Sequence, residues 1–145
     1  YGIEYDEFAA KIAEVAMWLI DHQMNMQVSE EFGQYFARLP LKKAAKIVHG
    51  NSLRIDWEDV VPKDELSYII GNPPFIGSKL LDDPQREDMA RIFQGVKNGK
   101  ILDYVSAWYL KSAKYIQDTN TKAAFVSTNS VTQGEQVSVL WGGNN

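Results

Sequence analysis

A chain of 145 residues, 45% hydrophobic and 23% charged, is one domain or a piece of one, with enough length to bury a core. It has no cysteine, which excludes disulfides and thiolate metal sites and suits a cytoplasmic location; its two histidines, His22 and His49, are too far apart to suggest a zinc site. The formal charge of −4 argues against this chain alone gripping a nucleic-acid duplex, and no run nears the roughly 18 apolar residues of a membrane helix.

Tyr1-Gly2-Ile3-Glu4-Tyr5 reads as a short strand. Phe8, Ile12, Val15, Ala16 and Leu19 follow at the spacing of one buried helical face, with Asp6 and Glu7 in the first turn where negative charge suits the helix dipole. Asp21 to Leu39 is polar and mixed, and is expected to be a long connection with one short helix starting at Ser29-Glu30-Glu31 and stopped by Pro40. Ala45 to His49 is a second strand, closed by Gly50-Asn51. Leu66 to Gly71 is a third, apolar enough to be buried on both faces of a parallel sheet. Asp83-Pro84 starts a helix expected to end near Gly95. Ile101 to Ile116 reads as an amphipathic helix with Ile101, Val105, Trp108, Ser112 and Ile116 on one stripe, and Trp18 and Trp108 fit helix faces packed on a sheet. Ala123 to Ser127 is a fourth strand, followed by the polar run Thr128 to Gly134. Strands alternating with helices indicate a parallel α/β sheet whose active residues sit at the carboxyl ends of the strands.

The most informative of those strand ends is Asn72-Pro73-Pro74-Phe75. Asn72 and Pro73 each precede a proline, which pushes their backbone into an extended conformation. The Asn72 side-chain oxygen and the Pro73 carbonyl are then able to accept both hydrogens of one exocyclic amino group, while Phe75 covers the face of a planar ring. Such a constellation suits an aminated base taken out of its stack. A rigid turn after a strand is the plain alternative.

The tetrapeptide resembles the catalytic motif of S-adenosylmethionine-dependent amino-methyltransferases, above all the DNA adenine-N6 group. Further stretches extend the likeness: Gly2-Ile-Glu-Tyr-Asp6, Asp21-His-Gln-Met24, Ser29-Glu-Glu-Phe-Gly33, Gly50 to Trp57, Gly71 to Lys79 and Ser127 to Glu135. In this order they resemble the methyltransferase domain of MmeI-like (type IIG) restriction–modification enzymes. The resemblance implies a partial Rossmann-like α/β fold, a mostly parallel sheet with helices on both faces, entered at the family's second strand. Residues 1–145 would run from that strand through the loop after the fifth.

The same resemblance implies roles. Asn72, Pro73, Pro74 and Phe75 would be the catalytic residues, acting on the amino group of a flipped-out adenine. Glu4 would accept from the cofactor ribose, with Asn51, Ser52 and Leu53 around the cofactor adenine; a solvated acid and a tight turn are the plain readings of Glu4 and Gly50-Asn51. Asn129 and Gln133 are candidates for contact with the target nucleotide. The lysine clusters Lys42-Lys43, Lys97/Lys100 and Lys111/Lys114 read as solvated faces. No metal is implied.

The family's aromatic-x-Gly-x-Gly cofactor loop does not occur among the ten glycines here. The first strand that carries it would lie centrally, so both ends are expected to be cuts through a larger protein, the isolated chain to lack turnover, and the sheet to keep open edges that favour self-association. Double-stranded DNA would be engaged through parts outside this chain. Two other readings remain at this point, a protein-glutamine N5 methyltransferase with the same Asn-Pro-Pro-aromatic logic and a catalytically inactive fold module.

Overall fold

The computed structural model describes residues 1–33 and 45–142. They fall into two compact units, Tyr1–Val61 and Pro62–Asn145. In the first, β1 (Gly2–Glu4) pairs in parallel with β2 (Ile47–His49), aligning Glu4 with His49. The Gly50 N–H donates to the Glu4 carbonyl at 2.8 Å and carries the ladder one step past both strands.

Between the strands runs α1 (Glu7–Phe32), capped by Asp6, whose carboxylate accepts from the Ala9 N–H at 2.7 Å. It ends at Gly33, whose φ of +63° is the left-handed conformation of a helix stop. This helix is longer than the sequence led us to expect. Asp21 to Phe32 continues it, and Ser29-Glu30-Glu31 lies inside it rather than starting a new one. The Gln, Met and Glu residues of that stretch are good helix formers whatever their polarity. The expected remainder of the connection, with Leu39 and Pro40, lies outside the described residues, as do Lys42 and Lys43.

A second correction concerns burial. Phe8, Ile12, Val15, Ala16 and Leu19 are exposed rather than buried, and Ala10 is the buried residue of α1. The cause is a mismatch of size. A 26-residue helix is about 39 Å long at about 1.5 Å per residue, whereas the three-residue strands it packs on span roughly 10 Å. The unit's buried apolar residues are otherwise Leu53, Trp57, Val60 and Val61 around the short α2 (Trp57–Val60). Lys46 closes α2 by donating from Nζ to the carbonyls of Asp59 and Val60 at 3.0 and 2.9 Å.

In the second unit, β3 (Tyr68–Gly71) pairs in parallel with β4 (Lys122–Phe125), aligning Gly71 with Phe125. β3 is not buried on both faces: Tyr68 and Ile70 are exposed, while Ile69 and Gly71 are half-buried. Aligned residues of a parallel pair project to the same side, so Ile69, Gly71, Ala123 and Phe125 share one face. That face is partly covered near its carboxyl end, because α4 (Ser106–Tyr115) packs on β4 and lays Tyr109 edge-on against Phe125, while Ala123 stays exposed. Among the described residues the strands pair only as these two couples, not as one continuous sheet.

The helix expected from Asp83-Pro84 is α3 (Asp83–Ile92), and its cap is Asp82, one residue earlier. Asp82 accepts from the Gln85 N–H at 2.8 Å and Gln85 Oε1 accepts from the Asp82 N–H at 3.1 Å, a reciprocal capping box. The helix expected over Ile101–Ile116 begins later, at Ser106. Gly99–Ile101 forms a 3-10 turn, Leu102 is extended, and Ile101 is exposed, while Val105 and Ser112 are buried as the stripe required. The segment after β4 is more ordered than its polar composition suggests, with a 3-10 turn over Asn129–Thr132 and a short helix, α5 (Glu135–Leu140). Lys97 and Lys100 are exposed, and Lys114 donates to the Ile92 carbonyl at 3.2 Å, closing α3.

The core of this unit gathers Met89, Phe93, Leu102, Tyr104, Val105, Ala107 and Val131, with Asp88 among them at 2% exposure. Asp88 is tolerated there because the Tyr104 hydroxyl donates to one carboxylate oxygen at 2.9 Å and the Arg91 guanidinium sits 3.2 Å from the other. Tyr104→Phe removes a donor to a buried carboxylate and is expected to lower stability by about 1–3 kcal/mol, read as a lower midpoint in denaturant melts. A midpoint equal to that of the wild type would show that this hydroxyl does not support the buried acid.

Candidate functional site

A parallel pair delivers both carboxyl ends to the same edge. In the first unit that edge holds Glu4 and, two residues beyond its strand, Asn51. Glu4 Oε1 accepts from the N–H groups of Tyr5 and Asp6 at 2.9 and 3.1 Å. This fixes the carboxylate at the strand end through one of its two oxygens. Asn51 folds into a tight turn: its Oδ1 accepts from the Leu53 N–H at 2.9 Å and its carbonyl accepts from the N–H groups of Arg54 and Ile55. Gly50 enters that turn at φ +150°, and a Cβ there would lie 2.8 Å from Ile55 Cδ1. The Ser52 carbonyl accepts from Trp57 Nε1 at 2.9 Å. Leu53 is 2% exposed, so its side chain belongs to the unit's core and its backbone to the turn.

In the second unit the corresponding edge carries Asn72-Pro73-Pro74-Phe75 directly after β3 and Ser127 to Gln133 after β4. The Val126 N–H donates to the Gly71 carbonyl at 3.0 Å, so pairing continues to the residue before Asn72. Pro73 is buried, which roots the motif, while Asn72 is exposed and its side-chain amide makes no hydrogen bond among the described residues. Phe75 is 48% exposed. Beneath the motif the Phe125 ring leans over Gly71; a Cβ at Gly71 would lie 3.1 Å from Phe125 Cδ1.

The loop after β4 is held from several sides. The Tyr109 hydroxyl lies 3.2 Å from the Phe125 carbonyl and 3.1 Å from Ser127 Oγ. Trp141 sets its ring edge-on against Tyr109 and donates from Nε1 to the Val131 carbonyl at 2.6 Å. Asn129 and Gln133, which flank buried Val131, are exposed.

The structure thus brings Glu4 and Asn51 to one strand edge, and Asn72, Phe75, Asn129 and Gln133 to another. Tyr109, Asp103 and Gln136 also serve this second edge, and sequence reasoning gave them no role. No sequence signal marks them: α4 has Val105 at its cap position, with no side-chain cap. A polar hollow lined by Lys63, Asp64, Asp118 and Lys122 lies at the opposite, amino-terminal end of β3 and β4, away from this chemistry. No group of three or more His, Asp or Glu side chains suited to a metal occurs among the described residues.

Comparison with known proteins joins these observations. The family model of the MmeI DNA-methyltransferase domain matches residues 1–143. A curated relative, DNA methyltransferase A of Bacillus subtilis (strain 168), is 49% identical over 144 residues, covering 97% of this chain and 16% of that protein. Among solved structures, the type IIL restriction–modification enzyme MmeI in complex with DNA matches with a TM-score of 0.88 and 53% identity, over 98% of this chain and 19% of that one. The chain therefore spans less than a fifth of the length of either relative. Its short parallel strands and helices form a partial Rossmann-like methyltransferase fold like that of the solved relative. With its family model covering nearly every residue, the chain belongs to the MmeI DNA-methyltransferase domain family.

Proposed function

We propose that this chain is the portion of a DNA adenine-N6 methyltransferase that holds the target base and part of S-adenosylmethionine, running from the family's second strand to the loop after its fifth. The observation that carries the reading is Asn72-Pro73-Pro74-Phe75 set directly on the end of β3, its amide uncommitted among the described residues and its ring half exposed. The names of both relatives, each tied to DNA methylation or to DNA, favour a base over a glutamine side chain as the acceptor.

S-adenosylmethionine supplies an activated methyl group. Asn72 Oδ1 and the Pro73 carbonyl accept the two N6 hydrogens of the flipped adenine, while Phe75 stacks on the ring. These bonds localise the nitrogen lone pair and fix its direction, so catalysis is chiefly positioning and electrostatics. No strong base is needed beforehand, because the proton can leave after nitrogen has gained the methyl. Pro74 holds the backbone of Pro73 extended. Asn129 and Gln133, on the neighbouring loop, offer polar contacts to the target nucleotide.

The first unit fits the cofactor's ribose and adenine: Glu4 keeps Oε2 for the ribose hydroxyls, and the Asn51 turn with Ser52 and Leu53 borders the adenine. The methionine end has no counterpart of the glycine loop in this sequence. Recognition of duplex DNA is assigned to other parts of a longer enzyme, since the chain carries a charge of −4. We place that enzyme with its DNA in the cytoplasm.

Three outcomes test this reading. In the full-length enzyme, Asn72→Ala should reduce adenine methylation by about 10²–10³-fold, by analogy with the loss of one oxyanion-hole donor, with cofactor affinity near wild type. Normal methylation by that variant would remove Asn72 from the chemistry. The 145-residue chain alone should bind S-adenosylmethionine weakly or not at all by calorimetry, and a micromolar one-to-one complex would contradict the assigned division of the cofactor site.

The third outcome concerns association. β1 and β3 each pair on one side only among the described residues, and Tyr68 and Ile70 lie exposed, as do Phe8, Ile12, Val15 and Leu19 of α1. The isolated chain should associate with a second copy or melt with poor cooperativity. A concentration-independent monomer by light scattering, with a sharp thermal transition, would refute this.

A further inference from the structure

The residues that follow the proposed base-holding motif are tied to the residues that follow β4. Asp103 Oδ1 accepts from the Ser78 N–H at 3.2 Å, and the neighbouring Tyr104 N–H donates to the Ile76 carbonyl at 2.9 Å. The segment immediately beyond Phe75 is therefore pinned at two points to the turn that precedes α4. That turn is pinned in its own right: the Asp103 N–H donates to Gln136 Oε1 at 3.1 Å, and the Asp103 carbonyl accepts from the Ser106 N–H at 3.0 Å. Gln136 sits in α5, three residues beyond Gln133, and is half-buried.

A side chain thirty-three residues away thus holds the backbone that holds the motif. Leu102, Tyr104 and Val105 on either side are buried, so the turn has little freedom to follow a displaced partner. The exposed Phe75 ring has no comparable packing and takes its position from the chain on either side, Pro73 behind it and Ile76–Ser78 ahead.

We propose that Asp103 and Gln136 are positioning residues. They form a relay that fixes Phe75 and the Asn72 amide relative to the loop carrying Asn129 and Gln133. The inference rests on the reading of Asn72–Phe75 as the base-holding motif. Its consequence is that the segment beyond β4 governs turnover through the backbone of Ile76–Ser78, without having to touch the base.

The test uses the full-length enzyme with a duplex bearing the target adenine. Asp103→Ala and Gln136→Ala should each lower kcat about tenfold or more, since displacement of a reacting group by about 1 Å can cost around a hundredfold. Cofactor affinity should be unchanged. Asp103→Asn, which keeps an acceptor for the Ser78 N–H, should restore kcat to near the wild-type value. The double alanine variant should lose no more than the worse single one, because both act through one relay.

If Asp103→Ala folds poorly, Gln136→Ala, altered only on a six-residue surface helix, decides alone. Wild-type kcat in Gln136→Ala, or effects that multiply in the double variant, would overturn the relay while an inactive Asn72→Ala left the base-holding reading intact. An active Asn72→Ala would remove that reading instead.

Discussion

Parallel pairing is the constraint on which the remaining features rest. When two strands run the same way, their carboxyl ends meet at one edge and their connections must cross over outside the sheet. That geometry places Glu4 beside the Asn51 turn and Asn72 beside the loop that begins at Val126. Each ladder is closed by one further hydrogen bond just before the functional residues, Gly50 to Glu4 and Val126 to Gly71. Pairing therefore stops just short of the Asn51 turn in one unit and of Asn72 in the other.

The strand ends were legible in the sequence because they are marked by residues whose conformational limits are local. Proline after Asn72, and Gly-Asn after His49, announce themselves without knowledge of the fold. Burial was much less legible. Phe8, Ile12, Val15 and Leu19 have the spacing of a buried face, yet spacing reports only that a face exists and not that something large enough covers it. The apolar run Leu66–Gly71 misled for the same reason, since apolar composition is a demand for cover rather than a sign of it.

Polarity misled in the opposite direction. Asp21 to Phe32 is polar enough to suggest a connection, yet its residues favour a helix, and the short α5, with Val137, Val139 and Leu140, follows directly on the polar run Thr128–Gly134. α4 starts five residues after Ile101, although the stripe from Ile101 carries the helical spacing across the turn at Leu102–Asp103, where the backbone of Leu102 is extended. That turn is where the structure adds most to the sequence. Asp103, Gln136 and Tyr109 carry no motif, and their relation to the Asn72–Phe75 segment arises only when distant parts of the chain are folded together.

The contact between Gly71 and Phe125 has a consequence for how this family can drift. The two positions face each other across the strand pair, and a Cβ at Gly71 would press on the ring at 3.1 and 3.2 Å. The two are coupled: a side chain at 71 requires the Phe125 ring to give way by a few tenths of an ångström, and loss of the ring removes one of the two aromatic side chains set edge-on against Tyr109. Substitutions at these sites should therefore tend to be inherited as a pair, and a library diversifying the motif one position at a time would sample Gly71 less fully than one that varied Phe125 in the same clone.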